Sequence, residues 1–172
     1  EDNNGAQGMG SMAAGFNTYT DGIISTVSGA YSQIINEGNV KYRDIYDIRG
    51  TAAVSYGAAN VNKNTAKSGE FSGVANSIIG QVNMTKDSNA AIIYGAGNIV
   101  TNSYRPIDDT KAAAILGSVN DPVKLGETMK DAVKESGGQV MVMGGGNSVD
   151  KAYMTQVTGV GNKVTGTQTW SD

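Results

Sequence analysis

The residue types that most often do chemistry are nearly missing from this chain of 172 residues. It has no His and no Cys. That removes the commonest general base, the thiolate nucleophile, and every imidazole or thiolate metal ligand. Carboxylates are what remain. Asp44 and Asp47 lie close together and Asp108 and Asp109 are adjacent, and paired carboxylates flank the scissile bond in glycoside hydrolysis. Asp108-Asp109 also sits beside Pro106, where the favoured reading is a solvated turn. Gly144-Gly145-Gly146 lacks the Lys-Ser/Thr of a phosphate loop. It also departs from the Gly-Gly-x-Gly-x-Asp calcium repeat. Asn83-Met84-Thr85 is a formal glycosylation sequon, a triplet too common to carry weight. The expectation is no catalytic residue, no metal site, no cofactor and no enzyme.

Binding chemistry is better represented. Tyr and Arg are the types that most often anchor interfaces. They gather in two stretches, Tyr42, Arg43, Tyr46 and Arg49, then Tyr104 and Arg105. These six are the candidate ligand-binding residues. The competing role is structural, packing an insert onto its own domain or clasping a neighbouring chain.

The elements that must hold them are written in the composition. Gly is abundant at 24 residues, against 2 Pro, 2 Phe and 1 Trp, so large side chains are scarce for a compact core. Hydrophobic residues still make up 39% and charged ones 17%, which excludes charge-driven disorder. Small and β-branched residues with frequent Gly suit many short strands joined by tight turns. The net charge of −3 argues against nucleic acid, which requires clustered Lys and Arg. The two basic spots, residues 41–43 and 63–67, are small and interrupted. The chain starts Glu1-Asp2-Asn3 without Met or an apolar leader, so a mature exported protein or an excised piece is expected. No apolar run reaches the roughly 18 residues of a membrane helix. Any membrane anchor is expected in segments beyond this stretch.

A phrase recurs along the chain: an apolar run, Gly, two residues, Asn, then a β-branched or apolar residue. Copies centre on Gly57 with Asn60, Gly80 with Asn83, Gly95 with Asn98, Gly117 with Asn120, Gly144 with Asn147, and Gly159 with Asn162. Around Gly29 the phrase continues with Ser32 in place of Asn, and an overlapping copy surrounds Gly73. Gly15 to Gly29 is 14 residues, Gly57 to Gly73 is 16, and Gly80 to Gly95 and Gly144 to Gly159 are each 15. Gly29 to Gly57 is 28, which leaves room for one divergent coil. Units of about 15 residues are too short for helix pairs and fit one solenoid coil of two strands and two turns. The glycines Gly29, Gly57, Gly80, Gly95, Gly117, Gly144 and Gly159 are expected at corners needing positive φ. Stacked coil on coil, Asn60, Asn83, Asn98, Asn120, Asn147 and Asn162 are expected to form a hydrogen-bonded ladder. The alternative is ordinary turn Asn residues facing water.

Before each Gly the runs are continuously apolar, as in Ala90-Ala91-Ile92-Ile93-Tyr94, which indicates burial on both faces. After each Asn, apolar and polar residues alternate, which indicates one wet face. An outer sheet that is apolar must meet another protein surface, and identical chains packed around an axis provide one. Three inserts interrupt the coils, at 36–49, 103–111 and 121–138. The third is expected to be the one short helix, with Asp121 as N-cap, Pro122 at the first position and Gly137-Gly138 as the stop. Its Leu125, Met129, Ala132 and Val133 form an apolar face that packs onto the host domain. The chain is expected to be a single all-β domain over 1–172. Its parts are a lead-in at 1–14, repeats at 15–164 and an exit at 165–172.

With those residues in view, the repeat resembles the YadA-like head of trimeric autotransporter adhesins. Their coils carry an Asn-Ser-Val-Ala-Ile-Gly core, echoed here by Ala75-Asn76-Ser77-Ile78-Ile79-Gly80 and by Asn89-Ala90-Ala91-Ile92-Ile93-Tyr94-Gly95. The resemblance implies a left-handed parallel β-roll in a homotrimer at the tip of a stalk, anchored in the bacterial outer membrane through other segments. It implies attachment to host cells, matrix or other bacteria, including aggregation and biofilm, through a protein or glycan receptor. A β-solenoid that binds or degrades polysaccharide is the alternative.

Overall fold

Runs of small and β-branched residues become short strands, and the chain winds them into stacked coils. The computed structural model describes residues 4–38, 47–65, 72–104, 109–135 and 138–166. Tyr42, Arg43, Asp44, Tyr46, Arg105, Pro106 and Asp108 lie outside them. Two parallel sheets carry the fold. The eight-stranded one contains β1 (Gly5–Ala6), β3 (Tyr19–Thr20), β5 (Gln33–Asn36), β7 (Val61–Asn64), β9 (Met84–Lys86), β11 (Ile99–Thr101), β13 (Ser148–Asp150) and β15 (Lys163–Thr165). The seven-stranded one contains β2 (Met12–Phe16), β4 (Thr26–Ala30), β6 (Val54–Ala58), β8 (Ser77–Gln81), β10 (Ile92–Ala96), β12 (Met141–Gly145) and β14 (Gln156–Val160). Successive strands alternate between the sheets, so each coil adds one rung to both. This is a parallel β-solenoid, as the repeat implied.

The repeat glycines lie inside strands. Gly15, Gly29, Gly57, Gly80, Gly95, Gly144 and Gly159 hold the fourth place of the seven strands and pair in register coil after coil. At Gly95 φ is +141°, and a Cβ there would lie 1.8 Å from the Gly144 carbonyl oxygen. Positive φ is needed at these positions, but the sharp corner falls two residues later, at Tyr31, Ala59, Val82, Gly97, Gly146 and Gly161. A second left-handed column runs through Asp87, Asn102 and Lys151, and a third through Ile24, Ala52, Ala75, Ala90, Gln139 and Met154. The coil therefore turns three times.

The register corrects three coil assignments. Gly29 stacks directly on Gly57, so that 28-residue interval is one coil and adds no second rung to the sheet. Gly57 stacks on Gly80, which places Gly73 in a turn outside the glycine column. Gly95 stacks on Gly144, and the segment around Gly117 and Asn120 is no coil at all. That segment forms α1 (Asp109–Ser118), followed by α2 (Pro122–Glu135). Ala112-Ala113-Ala114 with Leu116 supplies strong helix formers, and this propensity outweighs the likeness of Gly117-Ser118-Val119-Asn120 to the repeat. Two helices thus stand where one was expected. The Asp121 carboxylate accepts the backbone N–H of Val123 and of Lys124, each at 3.1 Å, so the expected N-cap is in place.

The helical pair covers the third side of the early coils. Ile115 and Met129 join Ile23, Ile48 and Val74 in one buried cluster, with Leu116, Leu125, Ala52 and Ala75 packed around it. Leu125 and Met129 therefore bury the face the spacing assigned them. Inside the solenoid, the later coils are dry, with Ile78, Ile93, Val142, Val157, Val100 and Val149 in one cluster. The middle coils are polar instead. The Asn62 amide oxygen accepts from the Thr85 hydroxyl at 3.0 Å, and the Asn76 amide donates to the Ser88 carbonyl at 2.8 Å. Buried polar groups of this kind are stable because they are paired.

Candidate functional site: the uncharged face of the seven-stranded sheet

Among the six residues proposed to bind ligand, Arg49 is corrected by its burial. Its side chain is 0% exposed and forms an ion pair with Asp47 at 2.6 Å. It also donates to the Glu37 carbonyl at 2.9 Å and the Asn64 carbonyl at 3.2 Å. Arg49 thus ties Asp47 to the chain at Glu37 and Asn64 and presents nothing to a ligand. Tyr104 is half-buried. Tyr42, Arg43, Tyr46 and Arg105 are outside the described residues. Arg49→Ala should lower stability by about 3 kcal/mol, because it strands a carboxylate and two carbonyls around a vacated buried site. Chemical denaturation measures this, and a loss below about 1 kcal/mol would count against this tie.

Five of the six expected Asn residues form the ladder. Asn83 Nδ2 donates to Asn60 Oδ1 at 3.1 Å and to the Gly95 carbonyl at 2.8 Å. Asn98 repeats the pattern with Asn83 and Gly144, and Asn147 with Asn98 and Gly159. Asn162 closes it on Asn147 at 2.9 Å. Each backbone N–H of these residues also donates to the preceding amide oxygen. Upstream, Asn60 N–H donates to Ser32 Oγ at 3.2 Å, so Ser32 substitutes for Asn as its place in the phrase implied. Asn120 is exposed in the turn between α1 and α2 and takes no part. Because Asn83 is only 1% exposed and bound on both sides, its sequon is not presented to solvent.

What the coils do present is the outer face of the seven-stranded sheet. None of its seven strands contains Asp, Glu, Lys or Arg. The eight-stranded sheet, by contrast, carries Lys63, Lys86, Asp150 and Lys163. Inner residues such as Ile78, Ile93 and Val142 are 0% exposed. Their outer neighbours are open: Tyr56 and Ile92 at 44%, Tyr94 at 59% and Met143 at 44%. At usual strand dimensions the face measures about 500 Å² in plan. Thr26, Ser28, Ser77, Gln81, Gln156 and Thr158 share it with the apolar residues, which concentrate in β2, β6, β10 and β12. At the first coils, Phe16 and Tyr31 meet edge to face, centroids 5.2 Å apart. The continuous apolar runs pointed to two-sided burial; in the single chain, one side is covered and the other is not. The absence of charge from all seven strands was visible in the sequence, yet it marks a surface only once the register aligns them.

Charge is managed on the other sheet. Asp150 is partly buried, which opposes ionisation. Hydrogen bonds from Thr101 at 2.7 Å and Asn102 at 2.8 Å outweigh this, with Lys151 nearby, and hold its carboxyl below the usual range. Tyr19 is pushed up to about 12 by burial, by its hydrogen bond to Asp21 and by that carboxylate's charge. Of the carboxylate pairs, Asp47 is engaged by Arg49, while Asp44 and Asp108 are outside the described residues. No protein-family model matches the chain, and comparison with curated proteins and with solved structures gives no match. Function is therefore read from the fold and its surfaces.

Proposed function

We propose that this chain is the head of a bacterial surface adhesin, a homotrimer that attaches to host cells, matrix or other bacteria without catalysis. The observation that carries the reading is the uncharged outer face, with exposed Tyr56, Ile92, Tyr94 and Met143, on a stacked parallel solenoid. A lone chain leaves that face in water, and identical chains around an axis cover it. The Gly column and the Asn ladder support the resemblance to YadA-like coils, from which the left-handed winding and the number three are taken. Three copies of each weak contact then act with avidity.

Light scattering tests the assembly and should give three times the 17.7 kDa of one chain. A monomer at micromolar concentration would overturn the reading. With the trimer confirmed, simultaneous Ala substitution of Tyr42, Arg43, Tyr104 and Arg105 should lower adhesion to cells at least tenfold, since these residue types anchor interfaces. Undiminished adhesion would move the receptor site to the sheet faces.

A second reading, a solenoid that binds or degrades polysaccharide, draws on the exposed Phe16–Tyr31 pair. Aromatic faces of this kind stack on sugar rings. A glycan-binding and glycan-degradation assay on the wild-type chain separates it from adhesion to protein.

A further inference from the structure

Methionine is out of its usual place in this chain. It commonly fills gaps in apolar cores, yet of the seven methionines only Met129 is buried. The dry cluster of the later coils is built from Ile, Val and Ala without sulfur. Three of the other methionines gather at the last two coils. Strand β12 opens Met141-Val142-Met143. Val142 belongs to the dry cluster inside the solenoid, so strand alternation places both methionines on the outer face, Met143 exposed and Met141 half-buried. Their Cα atoms lie about 7 Å apart at usual strand dimensions. Met154 adjoins them from the following coil. It is 66% exposed, and its neighbour Thr155 accepts the Met141 N–H at 2.9 Å. Methionine side chains are unbranched and turn freely, so sulfurs at this spacing can converge on one point.

We propose that Met141, Met143 and Met154 form a binding site for a soft monovalent metal ion, Cu(I) or Ag(I), held by three thioether sulfurs. Thioethers are soft donors and select Cu(I) over the harder metals. With no Cys in the chain, thioether is its only sulfur ligand. Charge favours a monovalent ion as well. Thioethers are neutral, and the strands of this sheet hold no Asp or Glu to offset a cation. Among the described residues no group of three His, Cys, Asp or Glu stands together to hold a harder ion. A divalent ion would keep its full charge beside an apolar surface, at a desolvation cost that grows as the square of that charge. Tyr94 pairs with Met143 in register, which sets an aromatic ring beside the site, and aromatic faces attract cations. The inference does not rest on the adhesin reading. An ion needs a gap of its own size rather than an open face, so the site stands whether or not another chain adjoins it.

Ag(I) is the probe, because it shares the preference for sulfur and is stable in air. Silver nitrate is titrated in chloride-free buffer into the wild-type protein carrying labelled methionine methyl groups. The methyl resonances of Met141, Met143 and Met154 should shift together and saturate at one ion per chain, which native mass spectrometry counts. Those of Met9, Met12, Met84 and Met129 should stay in place. Zn(II) should shift none. Met141→Leu combined with Met143→Leu keeps the apolar volume. That variant should retain the wild-type circular dichroism and melting while binding Ag(I) at least about tenfold more weakly. Equal shifts at Met9 and Met12 would overturn the site, since any exposed thioether would then serve. Full affinity in the double Leu variant, Zn(II) binding as tight as Ag(I), or no shift at any methyl would each overturn it too. None of these results alters the number of chains in the assembly, which light scattering reads separately.

Discussion

Gly95→Val should collapse the solenoid, whereas Gly117→Ala should leave it folded and slightly more stable. Both glycines stand in the same phrase of the sequence, before a small residue and an Asn. Their surroundings differ completely. At Gly95, φ is +141°, a value essentially reserved for Gly, and a Cβ would overlap the Gly144 carbonyl oxygen at 1.8 Å. No rotamer relieves that overlap, because the colliding atom is backbone of the next coil. Opening the gap would break the parallel pairing of β10 with β12, at the point where the coils stack from Gly15 to Gly159. The expected loss exceeds about 4 kcal/mol, from backbone strain and overpacking together. Gly117 lies in α1, and a Cβ added there would meet no atom within 4 Å. Ala there restricts the unfolded chain and suits the helix, worth about 0.5 kcal/mol. Thermal and urea unfolding followed by far-UV circular dichroism reads both. An unchanged midpoint for Gly95→Val would remove the close-stacking account of the glycine column.

The contrast between those two glycines shows what sequence could and could not convey. Recurrence at about 15 residues was enough to imply parallel coils, since a glycine column and an amide ladder leave a periodic trace. Residues 112–120 kept the letters of the phrase while the Ala run before them obeyed helix propensity, and single-sequence spacing does not weigh one against the other. The three corners of each coil were also hidden. Left-handed positions are filled by Tyr31, Val82, Ile24 and Lys151 as readily as by Gly97, because stacking on the neighbouring coil holds a conformation those residues would not choose alone. Arg49 misled for a related reason. A Tyr- and Arg-rich insert reads as a binding loop, yet burial depends on carbonyls contributed by Glu37 and Asn64 from adjacent coils. The uncharged face, by contrast, needed only the register, as every strand that builds it is contiguous in sequence.

Replacing one amide in the ladder should cost nearly as much as filling the glycine column. Asn98→Ala removes a side chain that makes four hydrogen bonds across three coils. Its Nδ2 donates to Asn83 Oδ1 at 3.0 Å and to the Gly144 carbonyl at 2.9 Å. Its Oδ1 accepts the Asn147 backbone N–H at 3.1 Å and the Asn147 amide at 2.9 Å. Asn98 is 0% exposed and Asn147 1%, so water does not readily replace those partners. A buried polar group left unpaired costs about 1–3 kcal/mol, and the stranded Asn147 N–H and Gly144 carbonyl add to the cavity. A loss of about 4 kcal/mol is expected. Asn98→Asp should do little better, since a carboxylate can accept from Asn147 but cannot donate to Asn83 or Gly144, and it brings an unpaired buried charge. Asn120→Ala, on an exposed turn, should change stability by less than about 0.5 kcal/mol. Denaturant midpoints of the three variants decide the matter: similar values for Asn98→Ala and Asn120→Ala would mean that the ladder is solvated ornament, with the coils held by apolar stacking alone.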